Sequence, residues 1–415
     1  MPGSAPDTAW TPGPRVHRRT ARSGSDHLDP PDWELITTQD AFGELLDEWM
    51  GVERYALDTE FHREGTYHPR VALVQVAWPG RLALIDPLEV DLAPMVEVLN
   101  SDICAVMHAA RQDLEILYRV CGQVPNVLFD TQTASNFVGF SNPSLGTLSE
   151  RLTGKKVPKG DRLTDWMRRP LQPTQLSYAA ADVRDLLSIA DRLSEELQRR
   201  GRVAWAADAI EAERCDAWTT RDPDVAWTRI KEVRHLRGQA LATAQALAKW
   251  REEAASSDDV PTRNLLSDLG LVGLAQTRPT EVKKARAVRG VDGRNLRGGR
   301  AEEALAVIAE SQGRAPVDAT AVKSPDVPQE LRSAINLVTT WVKQVARDLD
   351  LDPSTIATRG DVEMLLAPGP DGPLGTGWRA ELVGDPIRDL VSGRAALAFQ
   401  PGSGLVLEPR AELAG

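Results

Sequence analysis

The chain has 415 residues, 42% of them hydrophobic and 26% charged, with a formal net charge of −11. That composition describes a soluble globular protein of about three domains, and no apolar run approaches the roughly 20 residues that span a bilayer. Cys104, Cys121 and Cys215 are odd in number, far apart and without a Cys-x-x-Cys pair, which argues against a disulfide framework and a zinc site. The N-terminus lacks the apolar core of a secretory signal, so the expected compartment is the cytoplasm.

Residues 1–27 are rich in Pro, Gly, Ser, Thr and Arg with almost no apolar periodicity, the composition of a disordered tail. From Leu35 the pattern becomes regular. Thr37-Thr38-Gln39-Asp40 caps an amphipathic run through Trp49. Tyr55 to Glu60, Val71 to Trp78 and Leu82 to Ile85 are short, apolar and separated by turn residues, so they read as strands of one sheet. Leu92 to Leu99 reads as a helix, Ile103 to His108 as a strand, Gln112 to Val120 as a helix and Val127 to Phe129 as a strand. Ser144 to Leu152 and Thr174 to Leu197 read as closing helices. Three strands in succession, then strand and helix in alternation, imply a mixed sheet covered by helices.

Beyond about residue 200 strand signals vanish. Residues 230–310 and 328–400 read as helical, joined by a Pro-containing linker, and look like a diverged repeat: Trp250 leads to Val260-Pro261 and Asp268, and Trp341 to Leu351-Asp352-Pro353 and Asp361. The expected boundaries are a tail at 1–27, a first domain at 28–205, a linker at 206–228, a helical domain at 229–310, a second linker at 311–327 and a second helical domain at 328–405.

The chemistry concentrates in acids. In Ala56-Leu57-Asp58-Thr59-Glu60-Phe61 a strand puts Asp58 and Glu60 on one face. Two carboxylates so close repel unless a cation sits between them, and oxygen-only ligands favour Mg²⁺ or Mn²⁺. Asp113 falls in the first turn of a helix that follows a strand, facing the strand ends. Tyr178 and Asp182 stand four apart on a helix and share a face. Taken singly, each is also compatible with an ordinary solvated acid or core aromatic.

As an ordered set, Asp-x-Glu on a strand, Asp at a strand-to-helix junction and Tyr-x-x-x-Asp on a late helix resemble the tyrosine branch of the DEDD exonuclease superfamily. The run from Asp58-Thr-Glu-Phe-His-Arg-Glu-Gly through Val71-Ala-Leu-Val-Gln-Val76, the segment Phe129-Asp-Thr-Gln and the segment Leu163-Thr-Asp-Trp-Met-Arg-Arg-Pro-Leu171 look like the ribonuclease D family. Trp250-Arg-Glu-Glu, Val260-Pro261, Asn264-Leu-Leu-Ser-Asp-Leu and Ala275-Gln-Thr-Arg-Pro279 resemble the helicase-and-RNase-D C-terminal (HRDC) domain, over about residues 30–310 in all, with a fainter second copy after it.

The resemblance implies a ribonuclease H-like α/β exonuclease domain followed by two small all-α HRDC-type domains. It places metal ligands on Asp58, Glu60, Asp113 and Asp182 and the catalytic tyrosine on Tyr178, with two Mg²⁺ or Mn²⁺ ions as cofactors. The implied activity is 3′-5′ exoribonucleolysis releasing nucleoside 5′-monophosphates from tRNA precursors and other small structured RNAs, by a monomer with no membrane or protein partner.

Phe61 would lie beside the terminal base or sugar. His108 reads as structural. Arg168 and Arg169 read either as a contact to the penultimate phosphate or as a solvated pair. Between Arg278 and Arg300, eight Lys or Arg stand against two acids, and this stretch, including Lys283, Lys284 and Arg286, reads as a phosphate-binding surface in an otherwise acidic chain. From 328 to 415 eight basic residues face twelve acids, a poorer surface for RNA. A DNA-directed exonuclease of the same superfamily and a non-catalytic nucleic-acid-binding protein are the alternative readings.

Overall fold

A computed structural model describes residues 32–156, 164–216, 222–292, 295–316 and 326–410. The expected tail at 1–27, Leu163, Gly293, Arg294 and much of the second expected linker lie outside the described residues.

Described residues 32–61, 71–216 and 326–410 belong to one compact unit, and 62–70 with 222–316 to another. In the first, β1 (Glu34–Ile36) leads into α1 (Gln39–Trp49), whose N-cap Thr38 accepts a hydrogen bond from the Ala41 amide. Then come β2 (Arg54–His62), β3 (Arg70–Trp78) and β4 (Arg81–Ile85), where the apolar runs predict them. The run expected as one helix is a 3-10 turn at Ala93–Met95, with Pro94 in the first turn where its missing N–H is tolerated, leading directly into the single turn of α2 (Val96–Leu99). The alternation continues with β5 (Cys104–Met107), α3 (Arg111–Cys121), β6 (Val127–Asp130) and α4 (Thr131–Ser135).

The sheet order is β1-β4-β3-β2-β5-β6. β1 pairs parallel with β4, β3 antiparallel with β4, and β2, β5 and β6 parallel in turn. The mixed sheet is therefore as the sequence implies, and β2 sits inside it with Tyr55, Ala56 and Leu57 fully buried. α5 (Leu145–Leu148) continues as a π turn at Ser149–Thr153. The run expected as one helix from Thr174 to Leu197 is two, α6 (Pro173–Arg184) and α7 (Leu186–Arg200), broken where Asp185 leaves helical geometry at φ −106°, ψ 3°.

Three further expectations are corrected. Residues 206–216 are not linker: α8 (Val203–Asp216) packs Ala206 and Ile210 into the sheet domain's core, one turn apart on a single face. The last block is not a separate body, since Trp378 belongs to that same core, stacked on Trp205 at 4.6 Å and edge-on to Phe137 at 5.7 Å. Nor is that block all-α: β7 (Ala395–Gln400) and β8 (Gly404–Pro409) form an antiparallel hairpin after its helices.

In the second unit, 3-10 turns at Pro223–Arg229 and Lys231–His235 precede α9 (Gly238–Ser257), the long central helix. α10 (Thr262–Leu265), α11 (Asp268–Thr277), α12 (Val282–Arg286) and α13 (Arg300–Glu310) gather around it over a core that includes Leu247, Leu266, Leu271 and Leu274. Gly290, at φ 90°, lets the turn after α12 press on α11: a Cβ there would meet the Gly270 amide nitrogen at 2.6 Å. In the first unit's last block, α14 (Arg332–Asp348), α15 (Pro353–Ile356), α16 (Arg359–Leu366), α17 (Gly377–Arg379) and α18 (Asp385–Val391) enclose Val338, Val342, Ile356, Val383 and Ile387.

Candidate active site

The alternation of β2 decides the geometry at its exposed end. Thr59 is 5% exposed, while its neighbours Asp58 and Glu60 are both half-buried, on the other face. α6 brings Asp182 to them: carboxylate oxygens of Asp58, Glu60 and Asp182 lie within 4.8 Å of one another. Tyr178 stands one turn before Asp182 on α6, half-buried, its ring 6.3 Å from that of Trp166.

Asp113 is the fourth acid and stands slightly apart. It falls in the first turn of α3, is buried, and accepts a hydrogen bond from the Thr59 hydroxyl, so it lies outside the group of three. Its charge nevertheless reaches Asp58. Burial pushes the Asp58 carboxyl well above the usual carboxylate range, and the negative charges of Asp113, Asp182 and Glu60 push it further. Burial also raises Asp113, to about 7, against the opposing effect of the Thr59 hydrogen bond.

A feature not singled out from the sequence explains why Asp113 is held there. Asp130, 1% exposed at the end of β6, accepts from the amides of Ala109 at 3.3 Å and Ala110 at 2.6 Å, just ahead of α3. It also accepts from Gln132 at 2.7 Å and Thr133 at 3.0 Å, in the first turn of α4. One carboxylate thus clamps two helix starts. Ala109 takes a left-handed φ of 57° to make the turn. The signal lay in Phe129-Asp-Thr-Gln, an Asp placed as an N-cap.

His108 fits a structural reading, with Nδ1 2.9 Å from the Thr131 hydroxyl and burial lowering its pKa. Arg169 is withdrawn from solvent duty: Nε and Nη2 bond Asp86 at 2.5 and 2.6 Å, and Nη2 also reaches the Ala72 carbonyl at 2.7 Å. Phe61 is half-buried and, by the alternation of β2, out of phase with the two acids.

In the second unit Lys283, Lys284 and Arg286 are all exposed on α12. Lys284 pairs with Glu281 at 2.8 Å. Arg300 is engaged by Asp258 and Glu303 and drops out of the expected basic surface.

The donor set suits a hard divalent cation. Asp58, Glu60 and Asp182 offer oxygen atoms alone, and the groups acting most strongly on Asp58 are further acids, so a cation would relieve their repulsion.

A family model described as a 3′-5′ exonuclease matches residues 33–198, and an HRDC domain model matches residues 240–308. The ribonuclease D of Gluconacetobacter diazotrophicus is 34% identical over 388 residues, 91% of this chain and 96% of that protein. The chain belongs to the ribonuclease D family. The ribonuclease D of Jannaschia sp. is 35% identical over 373 residues, 88% of this chain and 96% of its own. The crystal structure of Escherichia coli RNase D, described as an exoribonuclease involved in structured RNA processing, superimposes with a TM-score of 0.77 at 29% identity, covering 87% of this chain and 99% of that one. As a ribonuclease D, the chain is a 3′-5′ exoribonuclease of the DEDD superfamily, a group whose activity depends on divalent metal. Among the described residues no helix is long and apolar enough to cross a membrane.

Proposed function

We propose that this ribonuclease D removes single nucleotides, as 5′-monophosphates, from the 3′ ends of tRNA precursors and other small structured RNAs. The observation that carries the reading is the convergence of Asp58 and Glu60 from β2 with Asp182 from α6. Asp58, Glu60, Asp182 and, from α3, Asp113 would hold two divalent cations, Mg²⁺ or Mn²⁺. Bound there, the cations supply activation of a water and stabilisation of the leaving oxygen at phosphorus.

The chain's own groups do the rest. Tyr178, one helical turn from Asp182, orients the attacking water through its hydroxyl. Thr59 and Asp130 fix Asp113. Phe61, next to Glu60 in the chain, would offer a sequence-tolerant stacking face to the terminal nucleotide. Lys283, Lys284 and Arg286, exposed on one short helix, supply phosphate contacts. The free thiols Cys104, Cys121 and Cys215 suit work in the reducing cytoplasm, where we take the chain to act as a monomer.

The test is a trimming assay on matched 3′-extended RNA and DNA with Mg²⁺, Mn²⁺ or chelator, products resolved by length. The expected result is a ladder of single-nucleotide steps from the RNA 3′ end only with metal, absent in Asp182→Ala, which still binds RNA. Trimming by Asp182→Ala at the wild-type rate would refute the assignment. Equal trimming of DNA would favour the broader nuclease reading.

A further inference from the structure

Outside the acidic site, the helical unit contains an open cavity of about 540 Å³. Four guanidinium groups line it, from Arg63, Arg229, Arg251 and Arg263, against two carboxylates, Glu252 and Asp268. Its volume falls in the ~300–1,000 Å³ range of small-ligand sites.

Both carboxylates are already engaged. Glu252 accepts the Tyr67 hydroxyl at 2.7 Å and faces Arg229 at 3.4 Å, and Asp268 faces Arg251 at 2.7 Å. Arg251 is buried and also bonds the Leu266 carbonyl at 3.0 Å, so it is part of the wall. Arg263 differs: it is exposed, and among the described residues its guanidinium has no hydrogen-bond or ion-pair partner. Arg263 therefore leaves the lining a positive charge that neither of its acids engages. Tyr67, Ala226, Ile230 and Pro261 add apolar surface to the lining.

A cavity lined by both guanidinium and apolar groups matches a nucleotide, which carries a phosphate for the first and a base and ribose for the second. The planar fork of Arg pairs with phosphate oxygens two at a time. We propose that this cavity is a nucleotide-phosphate site, occupied by one unit of the RNA strand, with Arg263 as its principal phosphate contact. The site is separate from the basic residues of α12, and the proposal rests on RNA being the substrate.

The experiment uses the full chain in chelator, so that binding is read without turnover and independently of whether the acids cleave RNA. A fluorescein-labelled single-stranded oligoribonucleotide is titrated by anisotropy across a salt series, and AMP is titrated by calorimetry. Arg263→Glu is expected to weaken RNA binding about tenfold, the effect of losing one charge-assisted contact. The plot of log affinity against log salt should flatten by about 0.7 for one lost phosphate. Arg263→Lys should keep most of that slope, and Lys343→Glu, an equal charge change on exposed α14, should leave binding unchanged. Since the Arg263 side chain ties nothing together, thermal melting should match wild type. Loss of AMP binding with RNA binding intact would assign the site to the free nucleotide instead of the strand. If neither ligand responds to Arg263→Glu, or if Lys343→Glu weakens RNA equally, the proposal is overturned.

Discussion

Asp58 lies where burial and three neighbouring acids all oppose its charge, and Asp113 is raised to about 7. A carboxyl whose folded pKa exceeds its unfolded value of about 4 holds its proton more tightly in the native state. Its contribution is fully present below the unfolded pKa and is lost as pH rises through the folded one. The metal-free protein should therefore lose melting temperature as pH rises from about 4 to about 7, the window that Asp113 sets. Asp58→Asn removes the most opposed charge, so in chelator at pH 8 it should melt several degrees higher than wild type while failing to trim RNA. Thermal melts across pH check this, and a flat profile in the wild type would contradict it. Strand alternation pairs Asp58 with Glu60 and helical spacing pairs Tyr178 with Asp182, but that the two pairs belong to one site was legible only through the family resemblance. That Asp113 would stay on Thr59 was not legible, because the hydrogen bond joins groups distant in the chain.

At the scale of elements, α3 and α4 begin on the same carboxylate. Asp130→Ala would leave amides at Ala109, Ala110, Gln132 and Thr133 without that acceptor, at a cost of about 1–3 kcal/mol. Because α3 carries Asp113, the variant should also trim more slowly even where it remains folded. Urea melts alongside single-turnover trimming separate the two effects, and unchanged stability would contradict the clamp. β2, β3 and β4 were readable from short apolar runs between turns, and α1 from its cap. The hairpin of β7 and β8 was missed because Ala395-Ala-Leu-Ala favours a helix by propensity, and pairing overrides it. Pro401-Gly-Ser-Gly404 between two apolar runs was the available turn signal. The break at Asp185 and the extension through α8 depend on packing that no local pattern announces.

At the scale of the molecule, composition and a repeated Trp motif suggest independent helical bodies, yet the last block joins the nuclease core. Its connection is specific: Trp378 stacks on Trp205 with planes 14° apart, and Arg202 donates to the carbonyls of Phe137 at 2.8 Å and Leu349 at 2.6 Å. Trp378→Ala should cost about 3–5 kcal/mol and expose the chain around α8 to protease. Limited proteolysis and melting would show it, and wild-type resistance would contradict the shared core. That coupling was not legible because the aromatic partners lie far apart in sequence, and each alone reads as an ordinary core residue.

The central claim is that acids from β2 and α6 share divalent cations. Calorimetric titration of Mn²⁺ into the full chain tests it most directly, run in buffers of different protonation enthalpy. Wild type should take up Mn²⁺ with release of protons at pH 7, and Asp58→Asn and Asp182→Asn should each lose most of that binding. Mn²⁺ uptake by both variants at wild-type affinity would contradict the account.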